Sequence, residues 1–370
     1  MENQEKKDIR LKSLDALRGF DMLFIMGFAG WIVALCNLFP DSAVMNWLSG
    51  QMEHVDWNGL KHHDTIFPLF LFIAGISFPF SYAKQKSKGR TKKEIYLKIV
   101  KRGVVLVLLG LVYNGIFKLD FENMRYASVL GRIGLAWMFA ALLYVTFKTK
   151  INIAISVVIL VGYWLLMWLV PGGSDPYSLE NNLVGAIDRI LLPGRLLTNG
   201  IFDPEGLFST LPAIVTALMG MFTGQLIKLP KEQCTENKKV IYLLGAALVL
   251  GIIGWLWNFT FPVNKKLWTS SFVCVLAAYS LINFAIFYYI IDVKGHTRWS
   301  FFFRVIGLNS ITIYLAQSII NFRQISNFFL RGVVSLCPEN IGNLINATGY
   351  VMACWLFLYF LYKKNVFLKV

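Results

Sequence analysis

Three of the four histidines in this chain fall between positions 54 and 63, in one polar stretch between two long apolar segments. His54 begins that stretch and Asp64 ends it, with Trp57 and Asn58 between them. An unperturbed imidazole titrates near pH ~6.5, so it can accept a proton at neutral pH. This combination of side chains therefore indicates proton-transfer chemistry at a membrane surface.

Other roles for these residues remain open. A lone loop histidine can be structural, and Asp64 at the start of the next helix can be a helix cap as well as a partner for an imidazole. His54, His62 and His63 could ligate a metal together with Asp64, but their spacing does not match a zinc site, and the five cysteines contain no CxxC pair. We therefore expect no metal.

Composition places these residues in a membrane protein. Hydrophobic residues make up 56% of the chain, aromatic residues 15%, and the mean hydropathy is +0.57. A helical span needs about 20 mostly apolar residues. We predict an all-α polytopic membrane protein, a single integral membrane domain over residues 1–370, with about ten transmembrane helices. The predicted spans are 14–38, 65–83, 99–117, 126–147, 151–170, 209–228, 240–260, 268–291, 300–320 and 345–362.

The basic residues predict how the chain is oriented. Counted in the segments between the spans, including the span ends, the side that holds the N-terminus carries 25 Lys and Arg residues, whereas the opposite side carries 9. The positive-inside rule then predicts that both termini are cytoplasmic and that His54 lies on the non-cytoplasmic face. The net charge of +15 is explained by this orientation and by contact with anionic membrane lipid, so no nucleic-acid partner is needed.

Charged and polar residues also occur inside the predicted spans, where they usually face a partner or a cavity. Asp15 and Arg18 share one face of the first helix, and Arg132 lies between two glycines in the fourth. An Arg side chain can bind phosphate or carboxylate through two parallel hydrogen bonds. Asn309 and Ser310 form a polar site in the ninth span. Each group could serve as a buried tie between helices or as part of a binding path for an anionic ligand.

Several motifs, in order along nearly the whole chain, resemble the heparan-alpha-glucosaminide N-acetyltransferase family. One of them contains the pattern His-x-x-Trp-Asn-Gly, which begins at His54. The stretches that carry the resemblance are LDALRGFDM at 14–22, HVDWNGL at 54–60, DTIFPLFLFIAG at 64–75, VLGRIG at 129–134, FDPEGL at 202–207, STLPAIV at 209–215, FPVNKKLWT at 261–269, DVKG at 292–295 and GLNS at 307–310.

The resemblance implies a transmembrane acyltransferase-type bundle and a function. The family moves an acetyl group from cytoplasmic acetyl-CoA to the amine of a terminal glucosamine across the membrane, and its active histidine corresponds to His54. Asp64 and Asn58 would then assist catalysis, Asn58 as a donor to the oxyanion. The histidine could act as a general base or be acetylated itself as a nucleophile.

Donor and acceptor would occupy different residues under this interpretation. CoA is anionic and would dock from the cytoplasm against Arg18, Arg132 and the basic loop 84–102, with Asp15, Asn309 and Ser310 along its path. The amino sugar or glycan would contact Trp57, Asp203 and Glu205. The last two could instead form a loop turn and a cap for the sixth span.

Other functions stay open from the residues alone. A transporter or flippase for an acylated sugar would fit the intramembrane charges, although inverted repeats would be expected and none is seen. An O-acyltransferase acting on a cell-surface glycan is another interpretation. We expect an integral multi-pass protein of a bacterial inner membrane, and the sequence allows a homodimer.

Overall fold

The protein is built from helices. The computed structural model describes residues 11–170, 175–198 and 200–368, and within these it contains fifteen α-helices and no β-strand. In chain order the helices are α1 (Lys12–Leu23), α2 (Ala29–Cys36), α3 (Ala43–Gly50), α4 (His62–Ser87), α5 (Lys92–Tyr113), α6 (Val129–Thr146), α7 (Thr149–Leu169), α8 (Leu183–Leu191), α9 (Thr210–Ile227), α10 (Glu236–Trp257), α11 (Ser270–Phe287), α12 (Phe301–Leu308), α13 (Ser310–Ile319), α14 (Phe322–Val334) and α15 (Glu339–Lys363).

The polytopic helical architecture predicted from composition is confirmed, but the count of ten spans is only approximate. Over the described ranges, eight helical segments are long and apolar enough to cross a membrane, and nine if α12 and α13 form one span bent by 69°. The remaining predicted span, 99–117, corresponds to α5. Six charged residues between Lys92 and Arg102 make the first half of this helix too polar for a complete span.

The first span is not a regular helix. Between α1 and α2, residues Phe24–Phe28 form a π-helical turn that contains Gly27 with φ 115°. Side chains rarely adopt that conformation, so glycine is required there. A Cβ on Gly27 would also lie 2.7 Å from the ring of Tyr350 in α15. The turn therefore depends on contact between the first and last helices as well as on local sequence.

The centre of the bundle is formed by α4 against α9, with α6 and α11 beside them. Gly75 of α4 allows this contact, because a Cβ there would lie 2.3 Å from the carbonyl oxygen of Ala217 in α9. Small residues let two helix backbones approach closely in a membrane protein. The close packing fixes α4, and α4 carries the aspartate of the candidate site at its first turn.

Three connecting segments meet at the α4 N-terminal end of the bundle. The loop after α3 donates a backbone hydrogen bond from Gly59 to Val263 O, 2.8 Å away in the loop between α10 and α11. Trp57, in the same loop, contacts the ring of Phe202 from the segment before α9, with 5.4 Å between ring centroids. We call this the histidine end of the bundle, because the loop after α3 carries His54.

Candidate active site

The structure pairs His54 with Asp64. The two side chains approach to 2.7 Å between His54 Nδ1 and Asp64 Oδ1. The histidine side chain is 53% exposed, whereas the aspartate side chain is only 2% exposed. The site therefore presents an accessible imidazole that is held from behind by a buried carboxylate.

Asp64 also organises the backbone around the histidine. Its Oδ2 accepts hydrogen bonds from the backbone N–H groups of Val55 (3.2 Å) and Lys61 (3.3 Å). The bond from Lys61 caps the first turn of α4, so Asp64 has both roles that the sequence left open. An ionised carboxylate can only accept, so the contact places the proton on His54 Nδ1, and in the neutral ring this leaves the lone pair on Nε2. This is the tautomer that a general base requires.

Lys265 approaches the same pair from the loop between α10 and α11. Its Nζ lies 3.5 Å from Asp64 Oδ1 and 3.4 Å from His54 Nδ1. Burial lowers the pKa of Lys265, and the carboxylates of Asp64 and Glu205 oppose that shift. The two carboxylates favour the ammonium form of Lys265, and in that form the lysine places a positive charge beside the imidazole.

The amide of Asn58 is oriented by a second asparagine. Asn58 Oδ1 accepts a hydrogen bond of 3.1 Å from Nδ2 of Asn264. Asn264 is fully buried and is itself held by Leu267, whose backbone N–H donates to Asn264 Oδ1 at 2.9 Å. Because Asn58 is exposed and its oxygen is engaged, its N–H groups remain as donors for a ligand.

The neighbouring histidines differ from His54. His62 Nδ1 lies 3.1 Å from the hydroxyl of Tyr279 in α11, and the His63 ring packs against His54 with 4.6 Å between centroids. In the three described ranges, no group of three or more His, Cys, Asp or Glu side chains is arranged to hold a metal ion.

Trp57 anchors the histidine loop to the segment before α8. Its indole Nε1 donates a 2.7 Å hydrogen bond to the carbonyl oxygen of Tyr177. The Nζ of Lys266 lies 5.8 Å from the centre of its ring. The indole N–H is therefore already hydrogen-bonded, whereas part of the ring remains exposed.

Asp203 and Glu205 lie together in an ion cluster with Arg125. Arg125 donates to both oxygens of Asp203, at 2.8 and 2.6 Å, and also contacts Glu205. Burial alone would lower the pKa of Arg125, but these carboxylates raise it. Asp203 is fully buried and also accepts from the backbone of Leu197. Glu205 is the more accessible of the two acids, with 10% of its side chain exposed.

Arg132 lies at the start of α6, close to this cluster. Its Nη2 donates to the carbonyl oxygen of Gly206 at 3.0 Å and to the hydroxyl of Ser209, and its guanidinium lies 5.0 Å from the centre of the Trp268 ring. The side chain is buried, and its Nε and Nη1 have no hydrogen-bond partner among the described residues. Arg132 therefore belongs to the histidine end.

Arg18, in α1, lies elsewhere and contacts a later turn of α4. Its Nη2 donates to the hydroxyl of Ser77 at 3.0 Å, and its Nη1 lies 3.7 Å from Asp15. These residues line a pocket of about 310 Å³ together with Arg102 and the apolar side chains of Leu11, Leu14 and Phe80. Ser77 comes 13 residues after Asp64. At 1.5 Å per helical residue, the pocket is about 20 Å along α4 from the aspartate.

Asn309 and Ser310 separate at the bend between α12 and α13. Asn309 holds the C-terminal segment, because its Nδ2 donates to Val366 O at 2.9 Å and its Oδ1 accepts from Leu368 N at 3.3 Å. Ser310 instead lines a small apolar cavity of about 30 Å³ with Phe67 and Ile133.

Comparison with known proteins adds the family. Residues 10–254 match the family described as "Heparan-alpha-glucosaminide N-acetyltransferase, catalytic". The chain belongs to this family. Over 98% of its length it is 26% identical to the human heparan-alpha-glucosaminide N-acetyltransferase, of which the match covers 60%. For the mouse protein the identity is also 26%, over 86% of this chain and 56% of the relative. The chain thus spans less than two thirds of the length of these relatives.

The family membership confirms the resemblance found in the motifs, whereas the roles of individual residues stay predictions. Two polar residues of this member were not assigned a role from sequence: Lys265 and Asn264. Both occur in the FPVNKKLWT motif, which was noted only as part of the resemblance. Arg102 was included only as one of the basic residues of the segment 84–102, which was expected to be a loop, and the structure places Arg102 in α5.

Proposed function

We propose that this protein is a transmembrane N-acetyltransferase that moves an acetyl group from cytoplasmic acetyl-CoA to the amine of a terminal glucosamine or similar amino sugar on the other side. The observation that carries the proposal is the 2.7 Å contact between exposed His54 and buried Asp64, in a member of a family described as catalytic. His54 is the catalytic residue of this proposal.

The first chemical task is to remove a proton from the attacking amine. His54 Nε2 accepts this proton, while Asp64 keeps Nδ1 protonated and stabilises the imidazolium that forms. A positioned general base typically contributes about 10²–10⁴ in rate. The amine nitrogen forms a bond to the acetyl carbon, the thioester C–S bond breaks, and CoA leaves as its thiol after taking up the proton.

The second task is to stabilise the oxyanion that develops on the acetyl carbonyl. The N–H groups of Asn58 supply the donor, because Asn264 already holds the Asn58 oxygen at 3.1 Å. A donor that is oriented before the reaction need not reorganise during it. Loss of one such donor costs roughly 10²–10³ in kcat in other acyl-transfer enzymes.

The donor binds at the pocket around Arg18. Its two arginines, Arg18 and Arg102, suit the phosphates of acetyl-CoA, and its apolar walls suit the pantetheine arm. The acetyl group at the end of the pantetheine arm must then reach the histidine end, which is about 20 Å away along α4. Arg132, with two unpartnered nitrogen donors at that end, acts on the thioester part of the donor. The excess of basic residues near the Arg18 side supports a cytoplasmic entrance.

The acceptor binds at the histidine end. Glu205 provides a carboxylate for the sugar or its ammonium, since it is the accessible acid of the cluster, and Asp203 holds that cluster in place. The exposed part of the Trp57 ring provides an apolar surface next to His54.

The test is a transfer assay with purified protein in detergent, acetyl-CoA and glucosamine, in which released CoA and N-acetylglucosamine are both measured. We expect His54→Ala to reduce transfer by about 10²-fold or more, because general-base assistance is lost. Binding of acetyl-CoA should not change. His296→Ala is the matched control, since this exposed histidine follows the other end of α11 and should leave transfer unchanged.

Retention of more than about a tenth of the wild-type rate by His54→Ala would refute the role of the histidine. A product that is acetylated on a sugar hydroxyl and keeps its free amine would indicate an O-acyltransferase. Transport of an acetylated sugar in proteoliposomes without release of CoA would indicate a transporter. An acetyl group found on His54 by mass spectrometry after reaction without acceptor would identify the nucleophilic route.

A further inference from the structure

Lys265 is an ammonium group placed against the histidine and aspartate pair by a distant part of the chain. Its Nζ is 3.5 Å from Asp64 Oδ1 and 3.4 Å from His54 Nδ1, and only 14% of its side chain is exposed. Because Nδ1 already gives its proton to Asp64, the contact between the lysine and the ring is one of charge rather than a hydrogen bond. Asp64 Oδ1 therefore has two neighbours, the protonated Nδ1 of His54 and the ammonium group of Lys265.

The charged groups around the imidazole are few and identifiable. The acids are Asp64, in direct contact, and Glu205, which acts on Lys265 through its charge. The bases are Lys265 itself, Lys266, which donates to the carbonyl oxygen of Asp56, and His63, whose ring stacks edge-on against His54. Lys61, from the helix cap, is already paired with Glu53 at 3.4 Å.

These charges act on the histidine in opposite directions. A buried carboxylate alone favours the protonated imidazole, because the ion pair stabilises the added positive charge. A protonated imidazole cannot accept the proton of an amine, so an aspartate acting alone would keep the base in its inactive form up to a higher pH. A second positive charge next to the ring opposes that protonation.

We propose that Lys265 is a positioning residue that shares the Asp64 carboxylate and so keeps His54 unprotonated and ready to act as the base. This rests on the proposed acetyl-transfer function. The lysine sets the lower end of the pH range in which the enzyme works. The contact of Lys265 with Asp64 also holds the loop between α10 and α11 against the start of α4. This contact fixes the position of Asn264 relative to His54.

The test is the pH profile of transfer by Lys265→Met, in which the side chain keeps its length and loses its charge. We expect the acid limb of the profile to move up by about 1 pH unit, while the rate at high pH stays within a few fold of wild type. The direction follows because loss of the ammonium makes protonation of the ring easier. Lys265→Arg should leave the limb near its wild-type position, and Lys266→Met is the neighbouring control.

A purely structural lysine would lower the rate equally at every pH. An acid limb of Lys265→Met that coincides with wild type, or an equal shift in Lys266→Met, would overturn the proposal. A second readout needs no catalysis: the pH dependence of His54 acylation by diethyl pyrocarbonate, measured by mass spectrometry with His296 as internal reference. The reagent attacks only the unprotonated ring, so reaction of His54 in Lys265→Met should begin at a higher pH.

This second measurement separates the two proposals. If His54→Ala retains transfer activity but the acylation profile of His54 shifts in Lys265→Met, the proposed function fails while the electrostatic role stands. If His54→Ala is inactive but neither profile shifts, the role of the lysine fails alone. Should Lys265→Met not fold, Lys265→Gln gives the same comparison with a hydrogen-bonding side chain.

Discussion

The histidine end and the Arg18 pocket handle charge in different ways. At the histidine end, basic and acidic side chains from distant segments meet in pairs, as in Lys265 with Asp64 and Arg125 with Asp203. In the Arg18 pocket, two arginines and one aspartate line the same cavity, so positive charge is in excess: Arg18 lies 3.7 Å from Asp15, and Arg18 and Arg102 repel each other. Paired charges hold a geometry, whereas an excess of one sign favours an ion of the opposite sign. The contrast indicates a fixed side-chain geometry at the histidine end and binding of an anionic ligand in the Arg18 pocket.

The strongest test of this contrast is Asp64→Asn. An amide cannot enforce the tautomer in which Nδ1 donates, so we expect kcat to fall by about 10²–10⁴. The Kd for acetyl-CoA, measured by calorimetry, should be unchanged, since the pocket is about 20 Å away. A parallel loss of donor affinity would show that the two ends do not act separately.

Arg125→Ala tests the paired charges as a source of stability. It leaves Asp203 fully buried without its partner, and breaking such a pair costs about 3 kcal/mol of unfolding free energy, the lower end of the usual range because Arg125 is partly exposed. The loss should appear as a lower thermal midpoint in detergent. Arg189→Ala, which removes an exposed arginine that donates to the backbone carbonyl of Ile201, should cost much less. Equal losses would contradict a special role for the cluster.

Arg18→Ala and Arg102→Ala test the pocket. Each should weaken acetyl-CoA binding by about 10–100-fold, the equivalent of one charge-assisted hydrogen bond. At saturating donor, kcat should stay close to wild type. Lys101→Ala is matched to Arg102→Ala because it removes the same charge from an exposed position next to it. If Lys101→Ala weakens binding as much, the effect is a general one of charge and the pocket is not the donor site.

Trp57→Phe is expected to give the smallest effect. It keeps an aromatic ring but removes the 2.7 Å hydrogen bond from the indole to Tyr177 O. Loss of this bond should lower the free energy of unfolding by about 0.5–1.5 kcal/mol. A severalfold rise in the KM for the amino sugar, with unchanged donor affinity, would fit a role in positioning the acceptor loop. No change in either constant would show that the loop does not depend on this bond.

The sequence predicted the helices better than their bends. Long apolar runs locate the spans because a span needs about 20 mostly apolar residues to cross the lipid. They also predict helices, because a helix satisfies its own backbone hydrogen bonds in the membrane. The π-helical turn at Gly27 and the 69° bend at Asn309 were not predicted, since each depends on packing against residues far along the chain, such as Tyr350. The count of ten spans is approximate for a different and local reason, since the first half of α5 carries six charged residues and only its second half is apolar.

The candidate site shows the same division. His54 and Asp64 lie ten residues apart around a helix start, so their association could be anticipated from the chain itself. Lys265 is separated from His54 by 211 positions, and hydropathy carries no information about such a contact. Arg18 and Arg132 were assigned to one donor path. The structure places Arg18 against Ser77 and Arg132 against Gly206, at opposite ends of the bundle. Both arginines lie near the start of a span, but the two spans run in opposite directions, so their starts lie far apart.

The hydrogen bonds of Asn309 tie the order of synthesis to the order of assembly. Its partners, Val366 and Leu368, lie 57 and 59 positions further along the chain and are therefore synthesised after α14 and α15. Until then, the polar side chain at the bend between α12 and α13 lacks these two hydrogen bonds. The bend therefore reaches its final form only after α15 has been made, and a ribosome stalled before Val366 would hold a protein in which Asn309 has not yet bound its partners.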